Sequence, residues 1–273
     1  MKCISVLGCG WLGLPLAETL VRTGFSVKGS KTSGDKSGPL VKLGVEPFQV
    51  ILETGQVRLS SPRFFESEIL IVNIPPRRDP DIVTGFPEQI GQLIFWLEKY
   101  GVGKLIFVSS TSVYPDTGGL VAESSDLLPE KASGRALLNA ENLLLKNSHF
   151  KTTVLRFGGL IGPGRDPSRF LARKKEVVNG NVPVNLIHQE DCIRIILTLI
   201  ENEVWGDIFN ACCPEHPLKK EFYGVASAVS GIKAPVFKNT GEVPAYKIVD
   251  SSKLIKRLNY RFKYPSPLDW LLQ

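Results

Sequence analysis

The stretch Lys2-Cys3-Ile4-Ser5-Val6-Leu7-Gly8-Cys9-Gly10-Trp11-Leu12-Gly13 decides how this chain is read. Lys2–Leu7 is a short apolar run of strand type. It passes without a linker into Gly8-Cys9-Gly10-Trp11-Leu12-Gly13, which matches GxGxxG. Leu12, Leu16 and Leu20 then fall on one helical face, and Gly24 stands where a C-terminal cap belongs. Alone, GxGxxG is a weak signal, but strand, turn and amphipathic helix together are the context its mechanism requires. The first glycine permits a tight turn, the second admits a pyrophosphate to the backbone, and the third lets helix and strand pack closely. The helix N-terminus adds amide donors and partial positive charge. Gly8, Gly10, Trp11, Leu12 and Gly13 are therefore expected to hold a dinucleotide.

Outward from this turn, strand-like and helix-like segments alternate. Phe25–Gly29, Phe48–Leu52 and Ile69–Asn73 read as strands, the last stopped by Pro75-Pro76. Ile90, Leu93, Ile94 and Leu97 mark a helix, Lys104–Ser109 a strand, Gly134–Lys146 a helix and Thr152–Phe157 a strand. The expected architecture is an α/β, doubly wound parallel Rossmann sheet over residues 1–157. After Gly158 the rhythm loosens, with Gly162-Pro163-Gly164 marking a loop. Cys192, Ile195, Ile196, Leu199 and Ile200 then form an apolar helix face, and the run Phe222–Val229 ends at Ser230-Gly231. Residues 158–273 are expected to form a smaller substrate lobe, with segments returning to the Rossmann half.

The type of dinucleotide is read where the second strand ends. NAD-binding versions carry an acid about 20 residues beyond the turn to hold the ribose diol. Here the chain reads Lys28-Gly29-Ser30-Lys31-Thr32, and no acid occurs before Asp35. Two hydroxyls and an ammonium suit a 2′-phosphate, so Ser30, Lys31 and Thr32 favour NADP(H) over NAD(H). Asn73, Ile74, Pro75, Ser109 and Phe157 complete the expected cofactor set.

Composition narrows the remaining classes. In 273 residues, 43% hydrophobic and 22% charged, no run of about 18 uncharged apolar residues suggests a membrane span. Met1–Leu7 lacks the longer apolar region and cleavage site of a signal peptide, so the expected location is cytoplasmic. Cys3, Cys9, Cys192, Cys212 and Cys213 are odd in number and show neither CxxC nor a Cys/His cluster. They read as buried small hydrophobes rather than disulfides or a metal site. The net charge of +6 suits anionic ligands but is dispersed, its densest group being Arg169, Arg173, Lys174 and Lys175. No nucleic-acid partner is expected. A monomer or homodimer with a small-molecule substrate, or none, is expected.

Phe107-Val108-Ser109-Ser110-Thr111-Ser112-Val113-Tyr114 resembles a motif of the extended short-chain dehydrogenases/reductases, the epimerase/dehydratase superfamily. Leu155-Arg156-Phe157 with Gly162-Pro163-Gly164, Val184–His188 with Asp191, and Lys253-Leu254 with Leu258-Asn259-Tyr260 resemble further segments in order. The Gly29–Thr32, Ser109–Tyr114 and Ser133–Arg135 stretches are most similar to its atypical YeeZ-type subgroup.

The resemblance implies that Ser110 orients a substrate oxygen. It also implies a proton-transferring Tyr and, four residues later, a Lys that lowers its pKa and holds the nicotinamide ribose. Ser133 and Leu137 stand at those two positions, with Glu141 where the family often has a Glu. Neither substitute can do that work, so a relocated acid is needed. Tyr114 is the nearest phenol in sequence. The family's cleft would involve Arg135, Arg156, Arg165, Arg169 and His188 in binding an anionic substrate.

Two functions follow. One is an NADP(H)-dependent epimerase, dehydratase or reductase acting on a sugar-nucleotide-like or other small anionic substrate. The other is a catalytically silent NADP(H)-binding sensor or scaffold.

Overall fold

The computed structural model describes residues 2–34, 37–77, 79–171, 176–238, 241 and 244–273. Asp35, Arg173, Lys174 and Lys175, which entered the reading of charge, lie outside the described residues. The chain divides into two compact units: Met1–Val113, Leu128–Leu155 and Ile196–Ile208 form the first, and Tyr114–Leu127, Arg156–Ile195 and Phe209–Gln273 the second. This grouping differs from a single break at 157/158. Residues 114–127 join the second unit, and residues 196–208 return to the first.

The elements through the middle of the chain are Cys3–Leu7 (β1), Gly13–Arg22 (α1), Ser26–Lys31 (β2), Gly38–Lys42 (α2), Glu46–Glu53 (β3), Gln56–Leu59 (β4), Ile69–Val72 (β5), Ile82–Tyr100 (α3), Lys104–Ser110 (β6), Gly119–Val121 (β7), Ala132–Lys146 (α4) and Lys151–Phe157 (β8). They continue as Gly159–Ile161 (β9), Ser168–Leu171 (α5), Glu176–Val178 (β10), Leu186–His188 (β11), Gln189–Glu201 (α6), Ile208–Ala211 (β12), Lys219–Val229 (α7), Val236–Lys238 (β13), Lys247–Val249 (β14), Ser252–Leu258 (α8) and Pro267–Leu271 (α9).

The main sheet has eight strands in the order β12-β8-β6-β5-β1-β2-β3-β4. β1 lies parallel to β2 on one side and to β5 on the other. From β1 the chain builds outward through β2 and β3, then returns to β5 and builds the opposite way through β6. β1 and β5 therefore meet at the point where strand order reverses, and open α/β sheets bind ligands beyond the carboxyl ends of such strands. β5 (Ile69-Leu70-Ile71-Val72) is buried at every position, as expected of a parallel strand covered on both faces. α1 buries Gly13, Leu16, Ala17 and Leu20, and α3 buries Ile82, Phe86, Ile90, Leu93 and Leu97, both at helical spacing.

β4 was not expected. It pairs antiparallel with β3 and forms the sheet's edge, its residues alternately exposed and half-buried. Four residues with so little burial leave almost no hydrophobic pattern to read. Among the described residues the second unit contains three two-stranded parallel pairs: β7 with β14, β9 with β11 and β10 with β13. Among the described residues no helix is long and apolar enough to cross a membrane. All five cysteines are free, with four buried and Cys3 half-buried.

Candidate dinucleotide site

The first unit's site begins at Gly8, whose φ of +96° only glycine adopts without strain. A Cβ there would lie 2.5 Å from the Asn73 carbonyl oxygen. Gly8 N donates to Ser30 Oγ at 3.0 Å, and Cys9 N donates to the Ser30 carbonyl at 2.9 Å. The Gly8 carbonyl accepts from Gly10 N at 2.8 Å and from Asn73 Nδ2 at 3.0 Å. A Cβ on Gly13 would fall 2.2 Å from the Gly8 oxygen, so α1 can start this close to β1 only with glycine. Gly10 is different, because a Cβ there would meet nothing within 4 Å. Backbone thus closes the turn at Gly8 and Gly13 and leaves it open at Gly10.

This arrangement fits a pyrophosphate. α1 has no side-chain N-cap and no acid in its first turn. The Leu14 and Leu16 amides already donate to the Gly10 and Leu12 carbonyls, at 3.0 and 3.2 Å, and Pro15 has no N–H, so the Gly13 amide and the positive end of the helix are what an anion would meet. The Cys9 side chain turns inward, with Sγ 3.6 Å from the Val6 carbonyl oxygen. Burial pushes its thiol up to about 12, so it remains neutral beside the site.

The polar residues at the end of β2 do not share one environment. Lys31 is half-buried and Thr32 exposed, whereas Ser30 is only 1% exposed, its hydroxyl oxygen engaged by Gly8. Lys28 is buried too, and its Nζ donates to the Arg63 and Glu66 carbonyls at 2.5 and 2.7 Å. That charge pins β2 to the 3-10 turn at Pro62–Phe65. Ile74 is half-buried and Pro75 exposed next to Asn73. Ser109, buried at the end of β6, donates to Glu141 Oε1 at 2.6 Å.

Ser133, Leu137 and Glu141 lie at four-residue intervals on α4 and so share one helix face. Ser133 is half-buried, while Leu137 and Glu141 are buried. Ser110 Oγ accepts from Ser112 N at 3.2 Å. Arg135 is exposed and turns back to donate from Nη1 to the Glu130 carbonyl at 2.6 Å. Its guanidinium therefore serves the approach to α4.

In the second unit, Tyr114 is 3% exposed and its hydroxyl is occupied in both directions. It donates to Asn210 Oδ1 at 2.8 Å and accepts from Arg156 Nη1 at 2.6 Å. The Arg156 guanidinium also lies over the Tyr114 ring, 5.0 Å from its centroid. Burial raises the Tyr114 pKa, with the nearby Arg156 opposing it. An acid must reach a substrate, and this phenol is sealed by Asn210 and Arg156. Glu123 accepts from Asn210 N at 2.7 Å, and Lys247 Nζ donates to the Tyr114 carbonyl and to Asp116, both at 2.9 Å. Asn210, Glu123 and Lys247 escaped the sequence reading because they lie far along the chain and belong to no local pattern. Phe157 is a core side chain, 2% exposed.

His188 packs against the rings of Tyr264 and Trp270, at centroid distances of 4.3 and 5.2 Å. Its Nδ1 accepts from Glu190 N at 3.2 Å, and its buried Nε2 has no hydrogen-bond partner among the described residues. Burial lowers its pKa, against the opposing charges of Asp191 and Glu190. Arg165 is half-buried, and its amide donates to the Gly162 carbonyl at 2.9 Å. Arg169 is exposed and faces Asp166 at 3.7 Å. Asp166 lines a cavity of ≈ 340 Å³ with Gly162, Pro163 and Trp270. Burial acts to raise the Asp166 pKa, but hydrogen bonds from Ser168 and Ser230 outweigh it and hold the carboxyl low. Among the described residues no cluster of His, Cys, Asp and Glu could hold a metal.

Known proteins place this architecture. A functionally unknown conserved protein from Silicibacter pomeroyi DSS superposes with a TM-score of 0.81 at 21% identity, covering 100% of this chain and 97% of that one. UDP-glucuronic acid 4-epimerase from Bacillus cereus, solved in complex with NAD, gives 0.79 at 20% identity over 99% of each chain. The NAD dependent epimerase/dehydratase family model matches residues 91–212. Protein YeeZ of Escherichia coli (strain K12) is 34% identical over 270 residues, 98% of each chain. The chain belongs to the NAD dependent epimerase/dehydratase family, as a YeeZ-like member.

Proposed function

We propose that this chain binds NADP(H) in preference to NAD(H) and works as an atypical epimerase, dehydratase or reductase on a sugar-nucleotide-like or other small anionic substrate. The observation that carries the reading is the glycine turn, closed by backbone at Gly8 and Gly13 and open at Gly10. Gly10, with the Gly13 amide at the positive end of α1, would hold the pyrophosphate, and Lys31 with Thr32 would meet the 2′-phosphate. When bound, a nicotinamide dinucleotide supplies a centre that accepts or donates hydride. The chain's own part is to fix that cofactor and to orient the substrate oxygen, for which Ser110 is the candidate. Proton transfer falls to a group other than the family pair, because Leu137 is buried and apolar and Ser133 is an aliphatic alcohol.

A second reading, a silent NADP(H) sensor or scaffold, draws on that same pair and on the sealed hydroxyl of Tyr114. Calorimetric titration of both cofactors tests the cofactor assignment. NADP(H) is expected to bind more tightly, and Lys31→Ala to bring the two affinities together. Tighter NAD(H) binding by the wild type would reverse it.

A further inference from the structure

Ser30 and Asn73 come from the two strands that flank β1, and they grip the same residue. Ser30, on β2, accepts from Gly8 N through its hydroxyl at 3.0 Å and from Cys9 N through its carbonyl at 2.9 Å. Asn73, just beyond β5, donates from Nδ2 to the Gly8 carbonyl at 3.0 Å. β2 and β5 pair with β1 through Gly29 opposite Val6 and Val72 opposite Leu7, so both side chains arrive level with the turn. The amide and the carbonyl of Gly8 are each held from one side.

We propose that Ser30 and Asn73 are positioning residues for the dinucleotide. They act through Gly8, and Ser30 does not read the 2′-phosphate. The inference rests on the dinucleotide reading and deepens it. The φ of +96° at Gly8 belongs to a residue type with wide conformational freedom, so the chain alone does not fix the turn. Two side-chain hydrogen bonds from neighbouring strands limit that freedom before any ligand arrives, and preorganisation of this kind lowers the cost of binding. Ser30 is 1% exposed, which places its hydroxyl in the wall of the turn. Reading of the 2′-phosphate is left to Lys31 and Thr32.

The test is titration of Ser30→Ala and Asn73→Ala with NADP(H) and NAD(H) separately. Loss of one hydrogen bond from the brace should weaken both cofactors by about fivefold in each variant, with their ratio unchanged. Ser5→Ala is the control for a merely structural effect. It removes a buried hydroxyl of β1 that bonds the Phe64 carbonyl, and it should lower Tm while leaving both affinities intact. If Ser30→Ala weakens NADP(H) alone, Ser30 reads the phosphate and the inference fails. It fails equally if neither variant alters affinity, or if Ser5→Ala weakens binding as much. A wild type that binds neither dinucleotide overturns the dinucleotide reading itself, and the brace with it.

Discussion

At Gly10 the local geometry gives a prediction about function that is separable from folding. A Cβ there would meet nothing within 4 Å, so the unliganded chain is expected to accept Gly10→Val. The branched side chain would instead fill the space a pyrophosphate needs. Gly10→Val is expected to keep the wild-type circular dichroism spectrum and a Tm within a few degrees, and to lose binding of both cofactors at least tenfold. Retention of wild-type NADP(H) affinity in a titration would show that the turn faces something else. Gly13 offers no such separation, because a Cβ 2.2 Å from the Gly8 oxygen would push α1 off β1.

Among the elements, α6 shows how one buried charge ties distant segments together. Asp191, in its first turn and fully buried, accepts from Tyr260 Oη at 2.7 Å, from Lys263 N at 2.8 Å and from Tyr264 N at 3.2 Å. Its carboxylate also suits the positive end of the helix. Asp191→Ala would leave three donors without this acceptor, at an expected total cost of about 3 kcal/mol in urea denaturation. A loss under about 1 kcal/mol would mean that water or relaxation replaces the carboxylate. The Ser133-Leu137-Glu141 face of α4 yields a contrasting lesson. Leu137 is 5% exposed, so restoring the family's lysine there would bury an ammonium, and the swap is structurally costly as well as chemically bold.

At the scale of the whole molecule, two histidines are expected to set the loss of stability between pH 7.5 and pH 5. Burial lowers the pKa of both His188 and His216 below 6.5, opposed at His188 by Asp191 and Glu190 and at His216 by the Val184 carbonyl and Asp250. A depressed histidine pKa means the unfolded chain binds the proton more readily than the folded one. The stability this contributes is fully present above pH 6.5 and declines as pH falls below it toward the folded-state value. Tm measured from pH 7.5 to pH 5 should therefore fall, and His188→Gln with His216→Gln should flatten that slope. An unchanged slope in the double variant would assign the acid response to carboxylates.

The parallel sheet and the glycine turn were legible from sequence because both are written locally. Apolar runs such as Ile69–Val72 and the four- and three-residue spacings of α1 and α3 report burial residue by residue. GxGxxG constrains backbone within six consecutive positions. Ser30 shows where this kind of reading stops. By sequence it belongs with Lys31 and Thr32, a row of polar groups at a strand end, but the pairing of β2 with β1 turns its hydroxyl onto Gly8. Tyr114 is the same case on a longer scale, since Arg156 and Asn210, 42 and 96 residues away, close its hydroxyl on both sides. The sequence by itself determined the α/β architecture and the dinucleotide turn, because short-range periodicity and glycine sterics specify them. Only the tertiary structure decided which polar side chains are spent on the protein and which remain for a ligand, because hydrogen bonds between strands join residues that no local pattern connects.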